Sequence, residues 1–104
     1  MTSITGLHHV SLIVADTGRA LVFYQEILGL KLDRSRPALA FPGAWLSLGD
    51  RQLHLLELPN PDPVDQRPEH GGRDRHTAVS VTDLDGFAQR LARAKIPFSM
   101  SKSG

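Results

Sequence analysis

Cysteine is absent from this 104-residue sequence, and tryptophan and tyrosine occur once each. Without cysteine there is no disulfide framework, no cysteine-ligated zinc site and no thiol nucleophile, so a bound metal ion would need nitrogen or oxygen ligands. No apolar run approaches the roughly 20 residues of a membrane-spanning helix. The N-terminus also lacks the basic and apolar segments of a signal peptide. We therefore expect a cytoplasmic protein with no membrane partner.

Net charge is nearly absent as well, because 12 Lys and Arg residues stand against 11 Asp and Glu residues, for a formal charge of +1. Such a balance indicates no nucleic-acid partner, which would favour a basic surface. The apolar fraction of 40% and the charged fraction of 22% are ordinary for a globular protein. A small-molecule partner, bound at a specific site, is the remaining expectation.

The first 58 residues carry the signals of a βαβββ module. Residues 8–14 are rich in β-branched side chains and predict a strand, after which Asp16 stands where a helix N-cap belongs. Apolar residues at helical spacing follow and end at Gly29, a typical residue just past a helix C-terminus. The pattern then predicts three short strands, at residues 30–34, 44–48 and 52–58.

A second, shorter module is predicted after a connection at residues 59–75, which contains four prolines and two glycines. Residues 76–81 predict a strand, Asp83 a helix N-cap, and residues 84–91 an amphipathic helix. Another strand begins at residues 96–100. We therefore expect one domain over residues 1–104, with modules at 1–58 and, incomplete, at 76–104.

The two modules begin alike, because His9 precedes Asp16 by the same spacing as His76 precedes Asp83. Such a repeat indicates a duplicated supersecondary unit, in which His9 and His76 occupy equivalent positions. Side chains alternate along a strand, so His9 shares a face with Ser11 and Ile13, and His76 shares one with Ala78 and Ser80. We call the face that carries His9, Ser11 and Ile13 the histidine face, and expect it to line a concavity.

A third histidine, His54, interrupts the apolar run of the last strand in the first module. Neutral imidazoles dispersed over sheet strands are a common way to hold divalent metal ions. The alternative is that these histidines are hydrogen-bonded structural residues, which we favour for His8, while His70 fits a solvated loop.

Glu57 has the opposite parity to His54 and should point away from the histidine face. Trp45 suits either a pocket wall or the core.

Three short sequence motifs in the first module resemble those of a known family. Residues 6–16 (GLHHVSLIVAD), then Phe23-Tyr24 and residues 28–32 (LGLKL), are similar to the opening of the glyoxalase/bleomycin-resistance/extradiol-dioxygenase proteins, the vicinal oxygen chelate superfamily. The resemblance implies an α+β fold in which paired βαβββ modules form a curved mixed sheet with helices outside. It also implies metal ligands at His9, His54 and His76. His9 is preferred to His8 because it directly precedes the matching valine.

One departure from the family concerns its last strands, which carry a glutamate that is usually the final metal ligand and often a proton-transfer group. No matching segment follows in this sequence, which ends at Gly104. The second module is therefore expected to be incomplete, and the catalytic base is unassigned. A homodimer, with strand exchange between protomers, would restore the missing sheet edge.

Three functions are compatible with these residues. The first is a glyoxalase-type lyase or isomerase, in which a zinc, nickel, manganese or iron ion binds two neighbouring substrate oxygens and stabilises an enediolate. The second is a drug- or metabolite-binding protein of the bleomycin-resistance kind, without catalysis. The third is a related metal-dependent dioxygenase or thiol transferase. The cofactor expected for the metal-dependent functions is a divalent metal ion of unassigned identity, and no residues are assigned to any other cofactor.

Overall fold

The computed structural model describes residues 2–101 and divides the chain into two compact units, Met1–Pro61 and Asp62–Gly104. The first unit contains a four-stranded mixed sheet in the order β1-β4-β3-β2. Strand β1 pairs in parallel with β4, whereas β4 with β3 and β3 with β2 pair antiparallel. The strands are β1 (His9–Val14), β2 (Leu32–Asp33), β3 (Gly43–Leu48) and β4 (Arg51–Glu57).

The helix between β1 and β2 starts as predicted. Helix α1 (Thr17–Leu21) follows Asp16, whose carboxylate accepts a hydrogen bond from the Arg19 backbone N–H at 3.0 Å. The helix then widens into a π-helical segment, Val22–Ile27, where the Leu28 N–H donates to the Phe23 carbonyl at 2.9 Å. Gly29, with φ of +80°, ends it in the left-handed conformation that glycine adopts without strain.

Four buried side chains form the core of the first unit, namely Ala44, Leu46, Leu53 and Leu55. Alternation places them on one face of β3 and β4, and Val10, Leu12 and Val14 of β1 pack against them together with side chains of α1. Leu46 and Leu55 are 0% and 1% exposed. Burial of each leucine side chain stabilises the fold by about 1.5–3 kcal/mol.

Glycine is required at the start of β3. A Cβ atom at Gly43 would overlap the Leu55 backbone carbonyl on the neighbouring strand β4. Backbone atoms cannot move aside as the end of a flexible side chain can. The close pairing of β3 with β4 therefore depends on the absence of a side chain at position 43.

The second unit contains α2 (Leu84–Arg93) and a short 3₁₀ turn at Gly71–Arg73. Asp83 caps α2 as predicted, since its carboxylate accepts a hydrogen bond from the Gly86 N–H at 2.9 Å. Lys95, with φ of +58°, takes the left-handed conformation common just past a helix C-terminus. No helix in residues 2–101 is both long and apolar enough to cross a membrane.

The strands predicted at residues 76–81 and 96–100 are not formed in the described part of the second unit. A strand is stabilised by hydrogen bonds to a neighbouring strand, and over these residues the unit contains none. Alternating side chains therefore predicted extended segments without supplying a pairing partner. The architecture is nevertheless α+β as expected, with a complete βαβββ module followed by an incomplete second one.

Candidate functional site

The histidine face of the sheet is assembled from three strands. On β1, His9, Ser11 and Ile13 are exposed, whereas the alternate residues are half-buried against the core. The register aligns Ser11 with His54 and His9 with Gln52, and aligns Trp45 of β3 with His54. Neighbouring residues in register share a face, so His9 and His54 both lie on the predicted side of the sheet.

Three aromatic rings stack across this face. The His54 ring lies between those of Trp45 and His9, with both centroid distances at 4.1 Å and interplanar angles of 4° and 17°. Because rings cover both of its faces, His54 is only 9% exposed even though it lies on the open side of the sheet. The stack therefore holds the His54 ring upright in the middle of the histidine face.

His8, for which the sequence favoured a structural role, also belongs to this cluster. Its Nδ1 atom lies 2.9 Å from Nδ1 of His9, and the two rings meet edge to face at 5.1 Å. His8 precedes the first residue of β1, so strand alternation does not govern its direction. One ring nitrogen of this pair donates and the other accepts the hydrogen bond.

A cavity of about 620 Å³ opens over the histidine face. Arg51 and Asp50, at the β3–β4 turn, bring one charge of each sign to its wall, and their side chains are 48% and 88% exposed. Trp45 is thus a wall residue rather than a core residue, which decides between the two sequence interpretations. The lining residues are His8, His9, Trp45, Asp50, Arg51, Gln52 and His54.

A hydrogen-bond chain runs from β2 to His54. The Gln52 Nε2 atom donates to Asp33 Oδ2 at 2.6 Å, and the Gln52 Oε1 atom lies 2.9 Å from His54 Nε2. Hydrogen bonds from the Ser35 hydroxyl, the Ser35 backbone N–H and Gln52 lower the pKa of Asp33 below its ordinary value. Asp33 is therefore an ionised acceptor at the end of this series of hydrogen bonds.

Burial lowers the pKa of His54 below its ordinary value, and the nearby imidazoles of His9 and His8 lower it further. The Asp33 carboxylate opposes this change but does not reverse its direction. A lowered pKa keeps the ring neutral near physiological pH, and the neutral imidazole is the form that offers a lone pair to a metal ion or a proton.

His76, the third predicted ligand, lies in the second unit and is exposed. Its Nδ1 atom lies 2.8 Å from the Asp74 carbonyl oxygen, which can only accept, so Nδ1 carries the proton. The Asp74 carboxylate is itself held by Arg67, whose Nη2 donates to it at 2.7 Å. In the neutral ring, Nε2 of His76 is therefore the nitrogen with the lone pair.

Glu57 takes a structural position on the core side, as its parity predicted. The Thr17 backbone N–H donates to Glu57 Oε1 at 2.7 Å, so the carboxylate satisfies a free donor at the start of α1. His70 likewise has a local role, because its Nδ1 accepts a hydrogen bond from the Gly72 N–H at 3.0 Å. These contacts provide ordinary structural reasons for both side chains.

The donor chemistry of the predicted ligands fits a divalent metal ion. His54 and His76 each engage one ring nitrogen with a protein acceptor and leave the other nitrogen for a ligand, the arrangement typical of metal-binding histidines. Over residues 2–101, however, no three His, Asp or Glu side chains are already grouped around a common point for an ion. The three-histidine ligand set therefore stays a prediction.

Sequence reasoning did not single out Gln52 or Asp33. Gln52 lies two residues before His54 on β4 and so shares its face, a signal that alternation could have supplied. Asp33 follows from no local pattern, since it reaches Gln52 only because β2 folds back beside β3. Its contribution to the site required the tertiary structure.

Comparison with known proteins identifies the family of this chain. The sequence model of the Glyoxalase/Bleomycin resistance protein/Dioxygenase superfamily matches residues 6–103. Glyoxylase I 4 of Arabidopsis thaliana is 27% identical over 95 residues, which cover 91% of this chain but only 55% of that protein. The uncharacterized protein YaeR of Escherichia coli K12 is 32% identical over 94 residues, or 88% of this chain and 72% of that protein.

A solved structure extends the comparison to the fold. A mutant of the fosfomycin resistance protein FosX from Listeria monocytogenes, crystallised with Mn(II) and 1S,2S-dihydroxypropylphosphonic acid, superimposes with a TM-score of 0.71 at 18% identity. The match covers 94% of this chain and 73% of that chain. At this identity the likeness concerns the fold alone.

Proposed function

The chain belongs to the Glyoxalase/Bleomycin resistance protein/Dioxygenase superfamily, and we propose that it is a glyoxalase-type, metal-dependent lyase or isomerase. The substrate would be a small molecule with two neighbouring oxygen atoms, bound in the cavity over the histidine face. The observation that carries this proposal is the neutral, acceptor-bonded His54 held beside His9 at the centre of that cavity.

The ligands in this proposal are His9, His54 and His76, with zinc, nickel, manganese or iron as the ion. When bound, such an ion supplies Lewis acidity toward substrate oxygens. FosX, a structural relative, was crystallised with Mn(II), which makes manganese a reasonable first ion to test. The base that removes a substrate proton is unassigned. Glu57 is a poor candidate because it lies on the core side and accepts a hydrogen bond from the Thr17 N–H at the start of α1.

His9 is the ligand that must move. Imidazole lone pairs lie in the ring plane, so two rings stacked face to face direct their nitrogens side by side rather than to one point. His54 is held by Trp45 and Gln52, whereas His9 is exposed on the edge strand β1. Joint binding of one ion therefore requires the His9 ring to turn out of the stack.

Trp45 and Arg51 provide the non-metal contacts of the cavity. The indole covers one face of His54 and keeps water from it, while the Arg51 guanidinium offers hydrogen-bond donors to an anionic or oxygen-rich substrate. Neither contact requires a metal ion. Both would orient a small substrate against the histidine face.

A sequestering protein of the bleomycin-resistance kind is the second candidate. The stacked His9–His54 pair favours it, because stacked rings form a flat aromatic wall without binding an ion. Such a protein would bind a drug or metabolite in the same cavity and catalyse nothing. A homodimer and a cytoplasmic location stay predictions under either function, and the mass of the protein in solution tests the first.

Metal titration of the purified full chain tests the proposal. Trp45 is the only tryptophan and stacks on His54, so Mn²⁺ or Ni²⁺ bound there should quench its fluorescence at one equivalent. Substitution of a residue that only hydrogen-bonds to a metal ligand lowers metal affinity about 10–100-fold, and loss of a ligating histidine should lower it at least as much. We expect this loss in His9→Ala, His54→Ala and His76→Ala.

His70→Ala is the matched control, because His70 caps a turn and is not a predicted ligand. If the native protein binds no stoichiometric metal, and the three variants match the control, the metal proposal fails and the sequestering function gains. If metal binds, an isomerisation assay on a glutathione hemithioacetal separates a glyoxalase-type enzyme from its relatives with other chemistries.

A further inference from the structure

Asp33, Gln52 and His54 form a chain of directed hydrogen bonds on the histidine face. Gln52 lies between the other two and contacts each through a different atom of its amide, Asp33 at 2.6 Å and His54 at 2.9 Å. An amide group has a donor end and an acceptor end, so its orientation decides which atom of His54 must carry a proton.

The orientation of the Gln52 amide is set by Asp33. An ionised carboxylate only accepts hydrogen bonds, and the Ser35 hydroxyl, the Ser35 N–H and Gln52 itself lower the pKa of Asp33 and keep it ionised. A turned-over amide would place its oxygen against the carboxylate oxygen at the same short distance, with no proton between them. The Gln52 NH₂ group therefore faces Asp33, and its oxygen faces His54.

Since the Gln52 oxygen can only accept, the His54 Nε2 atom must donate. We propose that Asp33 and Gln52 are positioning residues that hold neutral His54 as the Nε2–H tautomer, so that Nδ1 is the nitrogen that binds a metal ion or accepts a proton. The role of Nδ1 toward a metal ion rests on the proposed function. The tautomer itself follows from the hydrogen bonds alone.

The surrounding rings keep this arrangement from being lost by rotation. A half-turn of the His54 ring would place Cε1 where Nε2 lies and leave the Gln52 oxygen without its donor. Trp45 and His9 cover both faces of the ring and restrict intermediate orientations. Each interaction in the chain therefore supports the same position and the same tautomer of His54.

Nitrogen NMR of the full chain tests the tautomer directly. In ¹⁵N-histidine-labelled protein, at a pH about two units above the ordinary imidazole pKa of about 6.5, the protonated and unprotonated ring nitrogens resonate far apart. We expect His54 to show a protonated Nε2 and an unprotonated Nδ1. His54→Gln identifies its signals by their loss.

Two substitutions of Gln52 then test whether its amide determines the tautomer of His54. Gln52→Lys offers only donors, reaches toward Asp33, and should reverse the assignment so that Nδ1 of His54 carries the proton. Gln52→Leu offers neither donor nor acceptor and should move both shifts toward an average of the two tautomers. Gln25→Leu makes the same chemical change on the exposed helix surface and should leave the His54 shifts unchanged.

A protonated Nδ1 in the wild-type protein, or His54 shifts that are identical in wild type and Gln52→Lys, would overturn the proposal. If both Gln52 variants fail to fold, Asp33→Asn replaces them, because an amide at position 33 lets Gln52 turn over and should give averaged shifts. Gln52→Leu should also weaken Mn²⁺ binding about 10–100-fold. A wild-type protein that binds no Mn²⁺ would contradict the proposed function and leave the tautomer result standing.

Discussion

The two units of the chain contain matching segments, which start at His9 and His76, yet only the first segment forms a strand. In the first unit, residues after His9 pair along β4, whereas residues after His76 form no ladder in the described part of the second unit. Both segments lead to an aspartate that caps a helix. The comparison teaches that local signals are sufficient for helix starts, while a strand depends on a neighbour elsewhere in the chain.

Leucine truncation should show the largest difference between the units. Leu46→Ala removes a completely buried side chain and should lower the free energy of unfolding by about 2–5 kcal/mol. Leu84→Ala, at a position 54% exposed on α2, should cost less than about 1 kcal/mol. Urea denaturation followed by circular dichroism measures both changes. Equal losses in the free energy of unfolding would contradict this expectation and show that Leu84 is as important for packing as Leu46.

Removal of the helix caps should have a smaller effect that is similar in the two units. Asp16→Ala and Asp83→Ala each delete one hydrogen bond to a backbone N–H in the first turn, at a cost of about 0.5–2 kcal/mol. Helix content and the urea midpoint report the loss, with Asp16→Asn and Asp83→Asn as variants that retain a capping oxygen. A cost confined to one unit would break the analogy between the two helix starts.

The smallest expected effect is on the pH dependence of stability, to which Asp33 in the first unit and Asp74 in the second contribute differently. Hydrogen bonds from Ser35 and Arg67, respectively, lower the pKa of Asp33 and Asp74 below 3.8. Their stabilising contributions are thus complete above the unfolded-state pKa and are lost as pH falls through the lower folded-state value. Between pH about 5 and 2, Asp33→Asn should flatten the pH dependence of unfolding more than Asp74→Asn, because Asp33 joins β2 to β4.

Most elements of the first unit could be predicted from local patterns. The residue alternation on β1, the cap at Asp16 and the stop at Gly29 all follow from spacing, as does the direction of Glu57 away from the histidine face. The structure agrees with each. The π-helical widening at Val22–Ile27 was not predicted, because apolar residues at helical spacing fit either helix type over one turn.

The candidate site was predictable only in part. His9, His54 and Trp45 were singled out from parity and composition, and the register brings all three together on one face. The placement of His8 was not predicted because His8 precedes β1, and the contact from Asp33 to Gln52 was not predicted because it joins two different strands. Whether His76 completes a metal site with His9 and His54 stays a prediction for the titration to test.

The chain's own residues determined the family resemblance, the α+β class, both helix caps and the side of the sheet on which the histidines lie, because each depends on side chains within a few residues of one another. Tertiary structure decided the rest. The ring stack and the tautomer of His54 arise where the four strands β1 to β4 bring residues distant in sequence within hydrogen-bonding or van der Waals distance. Such contacts depend on register between strands, which no single stretch of sequence contains.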